Sequence, residues 1–214
     1  MPVDCTIILM TPCLHRALWL GVLFIAPVFA QSKSPRDLGQ SKILVASRDL
    51  ADPNFAKTVI LLVHYDADSV LGLVVNRHTD VPLSKALDGL KAAKGRADSV
   101  YLGGPVEPST VFAMLQSHAK LEGAQHVLDE VYLITNKSVL EQTLGKRPDP
   151  GVFHVYLGYA GWTNDQLHRE VEHGSWFIFH ADAGTVFDLE PDALWSRMIR
   201  KTEQQMALAV FGRR

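Results

Sequence analysis

Two apolar runs joined by a short polar turn constrain this chain more than any other feature. Thr58-Val59-Ile60-Leu61-Leu62-Val63 and Val70-Leu71-Gly72-Leu73-Val74-Val75 are hydrophobic on successive residues rather than alternate ones. A strand with one wet face alternates, so runs of this kind predict strands covered on both faces. Asp66-Ala67-Asp68 supplies turn chemistry between them. The pair is an antiparallel hairpin by its connection length, and it belongs at the centre of a sheet rather than at its edge.

Further strands and helices alternate around this hairpin. Residues 41–46 open the folded body as a short strand, and Pro53 breaks the chain after Asp52. Leu83, Leu87 and Leu90 recur at helical spacing behind Pro82. Residues 99–102, 110–115 and 131–134 read as strands. Asn136 caps a short helix carrying Val139, Leu140 and Leu144, which Gly145 ends. Leu194, Trp195, Met198 and Ile199 form one stripe on a last helix started by Pro191. The expected class is α/β with a central mixed sheet flanked by helices, since the hairpin is antiparallel while strand–helix–strand units favour parallel neighbours.

Composition adds bounds. A chain of 214 residues, 47% hydrophobic, can bury one sizeable core, and a formal charge of −2 gives no reason for strong attraction to nucleic acid or membrane surfaces. The basic C-terminal region (Arg197, Arg200, Lys201, Arg213, Arg214) lacks interleaved aromatics and reads as a solvated face, so no nucleic-acid partner is expected.

The N-terminus has the layout of a secretory signal. His15-Arg16 precede the apolar residues 17–26, and Val28 and Ala30 stand at −3 and −1 of a small-residue cleavage site. The expected organisation is a signal over 1–30, a flexible leader over 31–40 and an α/β domain over 41–214. The mature chain begins at Gln31, and Met10 is an alternative start. Left uncleaved, the same segment is the chain's one expected contact with a membrane. Both cysteines, Cys5 and Cys13, fall at or before the signal, so about 180 mature residues must fold without a disulfide and without thiol chemistry. The expected location is outside the cytoplasm, in the periplasm.

The segment Leu157-Gly158-Tyr159-Ala160-Gly161-Trp162, followed by Gln166-Leu167, links an apolar strand to a helix. Thr163 and Gln166 form a capping box, Trp162 and Leu167 a hydrophobic staple, and Gly174 a C-terminal stop. Together with Ala51-Asp52-Pro53-Asn54-Phe55, Gly72-Leu73-Val74-Val75-Asn76-Arg77 and Tyr101-Leu102-Gly103-Gly104-Pro105-Val106, this segment resembles the YqgE/AlgH family of bacterial proteins. The resemblance runs from about Ile43 to Trp195. It implies a central mixed sheet with a smaller two-layer α/β subdomain. Members are often labelled transcriptional regulators, with no catalytic residues to carry over. Two features depart from the pattern: His78 stands where members commonly have Pro, and an export signal is unusual in a family regarded as cytoplasmic.

No nucleophile elbow, Walker loop or dinucleotide fingerprint is present, and nothing points to a cofactor. His168 and His173, five apart on one helix, cannot clamp one ion, and His180 with Asp182 make an incomplete metal site. The remaining candidate is geometric. Asn76-Arg77, Gly103-Gly104 and Gly158-Tyr159-Ala160-Gly161 each follow a buried strand. If those strands run parallel, the loops share one carboxyl edge, where backbone N–H groups and the Arg77 fork can meet an anion. The alternative is that the glycines permit close packing and Arg77 pairs with a carboxylate. The sequence therefore points to a non-catalytic binding or regulatory domain for a small anion or a protein partner, with Asn76, Arg77, Gly103, Gly104, Gly158, Tyr159 and Gly161 at the site. A hydrolase built on Asp52, His180 and Asp182 is the second reading. A cytoplasmic regulator linked to transcription, which needs the signal to be inactive, is the third.

Overall fold

The computed structural model describes residues 34–211, so the signal and residues 31–33 lie outside the described residues, as do Arg213 and Arg214. Three strands form the heart of the sheet: β1 (Lys42–Ala46), β2 (Val59–Tyr65) and β3 (Val70–Val74). The expected hairpin pairs antiparallel with Leu61 opposite Leu73, and residues 59–63 of β2 are all fully buried. Each such aliphatic side chain contributes about 1.5–3 kcal/mol by leaving water. The last strand, β10 (Trp176–His180), pairs antiparallel with β1 and covers its outer edge.

The organising strand is β9 (Phe153–Trp162). On one side it pairs antiparallel with β6 (Val106–Gln116). On the other side two strands meet it end to end. β3 lies antiparallel to residues 160–162, and β5 (Ser99–Leu102) lies parallel to residues 156–157. β4 (His78–Pro82) adds to β5, β8 (Val131–Ile134) to β6, and β7 (Gln125–Leu128) to β8. The main path is β10-β1-β2-β3-β9-β6-β8-β7, and the sheet curls. Its far strand β7 returns over the hairpin, where Gln125 Nε2 donates to the Val63 carbonyl at 2.8 Å and Ser41 Oγ donates to the Val127 carbonyl.

Among the described residues, five α-helices pack on this sheet: α1 (Leu83–Ala86), α2 (Lys137–Gly145), α3 (Asn164–Glu172), α4 (Ala183–Val186) and α5 (Pro191–Phe211). The larger core gathers the hairpin, Leu167 and Val171 of α3, and Leu194, Trp195 and Ile199 of α5. Trp195 also donates its indole N–H to the Ala46 carbonyl at 2.8 Å. A smaller core lies beneath α1 and α2, built from Leu83, Leu87, Val100, Ile134, Leu140, Leu144 and Phe153.

Several local expectations change. The Leu83, Leu87, Leu90 stripe is not one helix. α1 ends at Ala86, and Leu90 leads into a separate 3-10 turn over Lys91–Ala93. Gly89 between them disfavours a continuous helix, and two short turns still bury Leu83, Leu87 and Ala93. From Ser34 the leader is packed: Pro35–Asp37 is a 3-10 turn and Leu38 rests against the larger core. The capping box is half formed. Thr163 Oγ1 accepts the Gln166 N–H at 3.2 Å, but the Gln166 amide turns to Glu170 at 2.9 Å. Trp162 stacks on Phe55 at 5.6 Å and meets Trp176 edge-on at 6.1 Å. Both indoles donate to Glu170 Oε2, at 3.1 and 2.8 Å.

The glycines at the β3–β5–β9 junction explain how three backbones meet there. A Cβ on Gly103 would lie 2.3 Å from the Gly158 carbonyl oxygen, and one on Gly104 would lie 2.1 Å from the Tyr159 backbone. Gly158 has φ +72° inside a strand, and its own Cβ would meet the Gly104 carbonyl at 2.6 Å. No side chain can be relaxed away, because the obstructing atoms are main chain. Gly103→Ala is expected to lower the stability measured by urea denaturation by about 1–3 kcal/mol or more. Gly39→Ala, where nothing lies within 4 Å of the new methyl, is expected to leave it unchanged.

Candidate functional site

The residues expected to converge do come together, but not on a shared carboxyl edge. β3 runs antiparallel to β9, so the parallel arrangement fails for that pair, and residues 158–161 lie within β9 rather than in a loop. Asn76 is buried and committed to the backbone: its Oδ1 accepts the Val59 N–H at 2.8 Å and its Nδ2 donates to the Lys57 carbonyl at 3.0 Å. Arg77 fastens the 53–56 turn by donating to the carbonyls of Asn54 and Ala56 at 2.6 and 3.2 Å. Burial lowers the Arg77 pKa, and the nearby Asp52 charge partly offsets this. The Gly103 N–H donates to the Leu157 carbonyl at 2.8 Å, and its own carbonyl accepts the Val74 N–H at 2.9 Å. The junction thus consumes the donors that an anion would need.

Tyr159 and Gly161 are placed differently. They project to the outer face of β9, beside Leu71 of β3, and line an open cleft of about 500 Å³. Val70, Leu71 and Val106 make its apolar part, and His64, Asp68, Ser69, Thr163 and Gln166 its polar rim. Gly161 is exposed and has no left-handed φ. A Cβ there would meet only side chains, the Tyr159 ring at 3.2 Å and Val106 at 3.9 Å. Gly103, Gly104 and Gly158 are demanded by backbone contact, whereas Gly161 leaves bare floor in a cleft.

Asp52 does not join the other two residues of the hydrolase reading. Asp52 Oδ1 accepts the Asn54 N–H at 2.8 Å in the turn near the Ala46 end of β1. His180 pairs with Lys42 at the other end of that strand, about 13 Å away at the usual rise. Asp182 caps α4 by accepting the Thr185 N–H at 2.7 Å. Among the described residues, no group of three or more His, Cys, Asp or Glu is arranged to hold a metal ion.

A second cleft, about 510 Å³, was not anticipated from the sequence. His78, Asp98, Tyr101, Phe153 and His154 line it, with Leu189 and Pro191 at the side. His154 sits in an apolar strand run, flanked by Phe153 and Val155, and that placement was the legible signal of a buried imidazole. It stacks on Tyr101 at 4.4 Å, and the hydroxyls of Tyr101 and Tyr156 stand 3.4 Å from its two ring nitrogens. Burial pushes the His154 pKa down to about 4, against the Asp98 charge and the Pro150 and Val186 carbonyls. Burial also raises Tyr101 and Tyr156, so at neutral pH all three rings are uncharged. Asp98 is held by Arg96 in a bidentate pair at 2.7 and 2.8 Å. His78 hydrogen-bonds Asp192 at 3.0 Å, which raises its pKa. Each charge on this wall is matched by a neighbour. An imidazole so reluctant to take a proton is a weak general base and serves as a neutral hydrogen-bonding surface.

A curled, mostly antiparallel sheet under helices defines a mixed α/β fold. The AlgH-like family profile (DUF179) matches residues 43–207, and the chain belongs to that family. It is 36% identical over 174 residues to a UPF0301 protein of Myxococcus xanthus, covering 80% of this chain and 94% of that one. It is 34% identical over 171 residues to a UPF0301 protein of Magnetococcus marinus, covering 79% and 91%. The solution structure of the AlgH protein from Pseudomonas aeruginosa superposes with a TM-score of 0.63 at 28% identity, covering 83% of this chain and 90% of that one.

His154 makes stability depend on pH with a defined sign. Its folded pKa lies below the unfolded value of 6.5, so the unfolded chain binds the proton first. The contribution is present above pH 6.5 and is lost as pH falls toward 4. Between pH 7 and pH 5 the unfolding free energy is expected to drop by about 2 kcal/mol from this group. Urea denaturation of His154→Phe, which keeps a ring against Tyr101, is expected to lack that part of the drop.

Proposed function

We propose that this chain is a non-catalytic binding domain whose small ligand occupies the cleft floored by Gly161 and walled by Tyr159. One observation carries the reading: Gly161 is the glycine of the signature segment that neither backbone contact nor φ requires. Its missing Cβ makes room for the Tyr159 ring, 3.2 Å from that position, and the two residues line a cleft of suitable size. The anion-binding arrangement expected around Asn76, Arg77, Gly103 and Gly104 has less support, because those groups are bonded within the protein. The hydrolase reading has less support, because Asp52 lies at the opposite end of β1 from His180 and Asp182 is spent on capping α4. A ligand screen by thermal shift tests the proposal. Hits are expected to stabilise the wild type and Arg77→Ala alike, and to lose at least tenfold in affinity in Gly161→Leu, whose side chain fills the floor. Hits that bind Gly161→Leu as well as wild type would sink it.

The proposal includes export to the periplasm, supported by the basic, apolar and small-residue layout of residues 15–30. Fractionation with an intact-mass measurement is expected to find a periplasmic species beginning at Gln31. An unprocessed cytoplasmic chain would return the transcription-linked reading to the front.

A further inference from the structure

Three groups lining the Tyr159–Gly161 cleft have no hydrogen-bond partner among the described residues: the Asp68 carboxylate, the Gln166 side-chain carbonyl and the Tyr159 hydroxyl. Gln166 gives one amide N–H to Glu170, which leaves its oxygen and its second N–H free. The neighbouring polar groups are committed elsewhere. Ser69 Oγ donates to Asp66 at 3.3 Å, His64 bonds Asp66 at 2.7 Å, and Thr163 Oγ1 accepts from the backbone of α3. The free rim is therefore acceptor-rich, with the Asp68 carboxylate and the Gln166 oxygen beside a Tyr159 hydroxyl that both accepts and donates.

An acceptor-rich rim calls for a ligand that presents several O–H or N–H donors at its edge. The Asp68 charge disfavours an anionic ligand there. The floor asks for something flat: bare backbone at Gly161, Leu71 opposite it across the β3–β9 ladder, and Val70 and Val106 alongside. Tyr159 stands at the side of this floor, its ring 3.2 Å from where a Cβ on Gly161 would lie and T-shaped to Phe112 at 6.0 Å. A ring with apolar C–H faces and a rim of hydroxyls meets each of these demands. We infer that the cleft recognises an uncharged sugar ring, with its hydroxyls donating to Asp68 and Gln166 and its C–H face lying on Gly161 and Leu71 beside Tyr159. This rests on the cleft being the ligand site. It adds the chemical class.

Amide chemical-shift mapping on the full chain tests it, using glucose, N-acetylglucosamine and cellobiose against inorganic phosphate and a set of uncharged non-sugar fragments. The expected result is saturable shifts from the sugars at residues 68–71 and 159–166. Affinity is expected to fall at least tenfold in Asp68→Asn and to be lost in Gly161→Leu. Gly161→Ala is the folded control for the substituted strand. If phosphate or the fragments shift those residues and the sugars do not, the sugar class is overturned and the cleft survives as a ligand site. If no probe shifts them, or the sugars shift only residues elsewhere, both readings fall. Asp68→Asn alters an exposed turn residue, so its result stands even if Gly161→Leu disturbs the strand.

Discussion

The whole structure depends on one close approach of main chains. β3 and β5 meet end to end on the same flank of β9, and they can do so because Gly103, Gly104 and Gly158 bring three backbones within hydrogen-bonding distance without a Cβ between them. This contact joins the part of the sheet that carries the larger core to the part that carries the smaller core. It also fixes the direction of β9, and hence which of its residues face outward. Tyr159 and Gly161 reach the cleft as alternate residues of β9.

Energetically the two halves solve the same problem by different means. Around the hairpin, burial is continuous, and the polar atoms that must go inside are met one by one. Asn76 satisfies Val59, Trp195 satisfies Ala46, and Glu170 accepts from two indoles at once. Removing such an acceptor leaves donors dry at about 1–3 kcal/mol each, so these bonds specify packing as much as they add stability. Around His154 the price is a lowered pKa: the imidazole stays neutral between two tyrosines rather than carrying a buried charge. The Arg96–Asp98 pair beside it is bidentate, at 2.7 and 2.8 Å.

The sequence made the local, self-contained features legible. The β2–β3 hairpin, the Asn136 cap, the Gly174 stop and the start of α5 at Pro191 each follow from a few adjacent residues and stand in the structure. The Leu83, Leu87, Leu90 stripe misled because periodicity reports which residues are buried, not whether one helix buries them. β4 and β7 escaped notice because short, polar edge strands have no periodic signal. β4 is recruited by β5 beyond an intervening helix, and β7 by the tight hairpin it makes with β8. His154 was readable as a histidine in an apolar run. Its stacking on Tyr101, across 53 residues of chain, was not.

By itself the sequence determined the family, the α/β class, the buried hairpin and the cluster of glycines around β9, because each is written in neighbouring residues or in a linear motif. Tertiary structure decided what those glycines are for. Whether a glycine serves a turn, a backbone crossing or an open floor depends on what another strand places 2–4 Å from its missing Cβ. Strand direction decided it in turn: the antiparallel β3–β9 pairing withdrew Asn76 and Arg77 into internal hydrogen bonds and left Tyr159 and Gly161 facing the solvent.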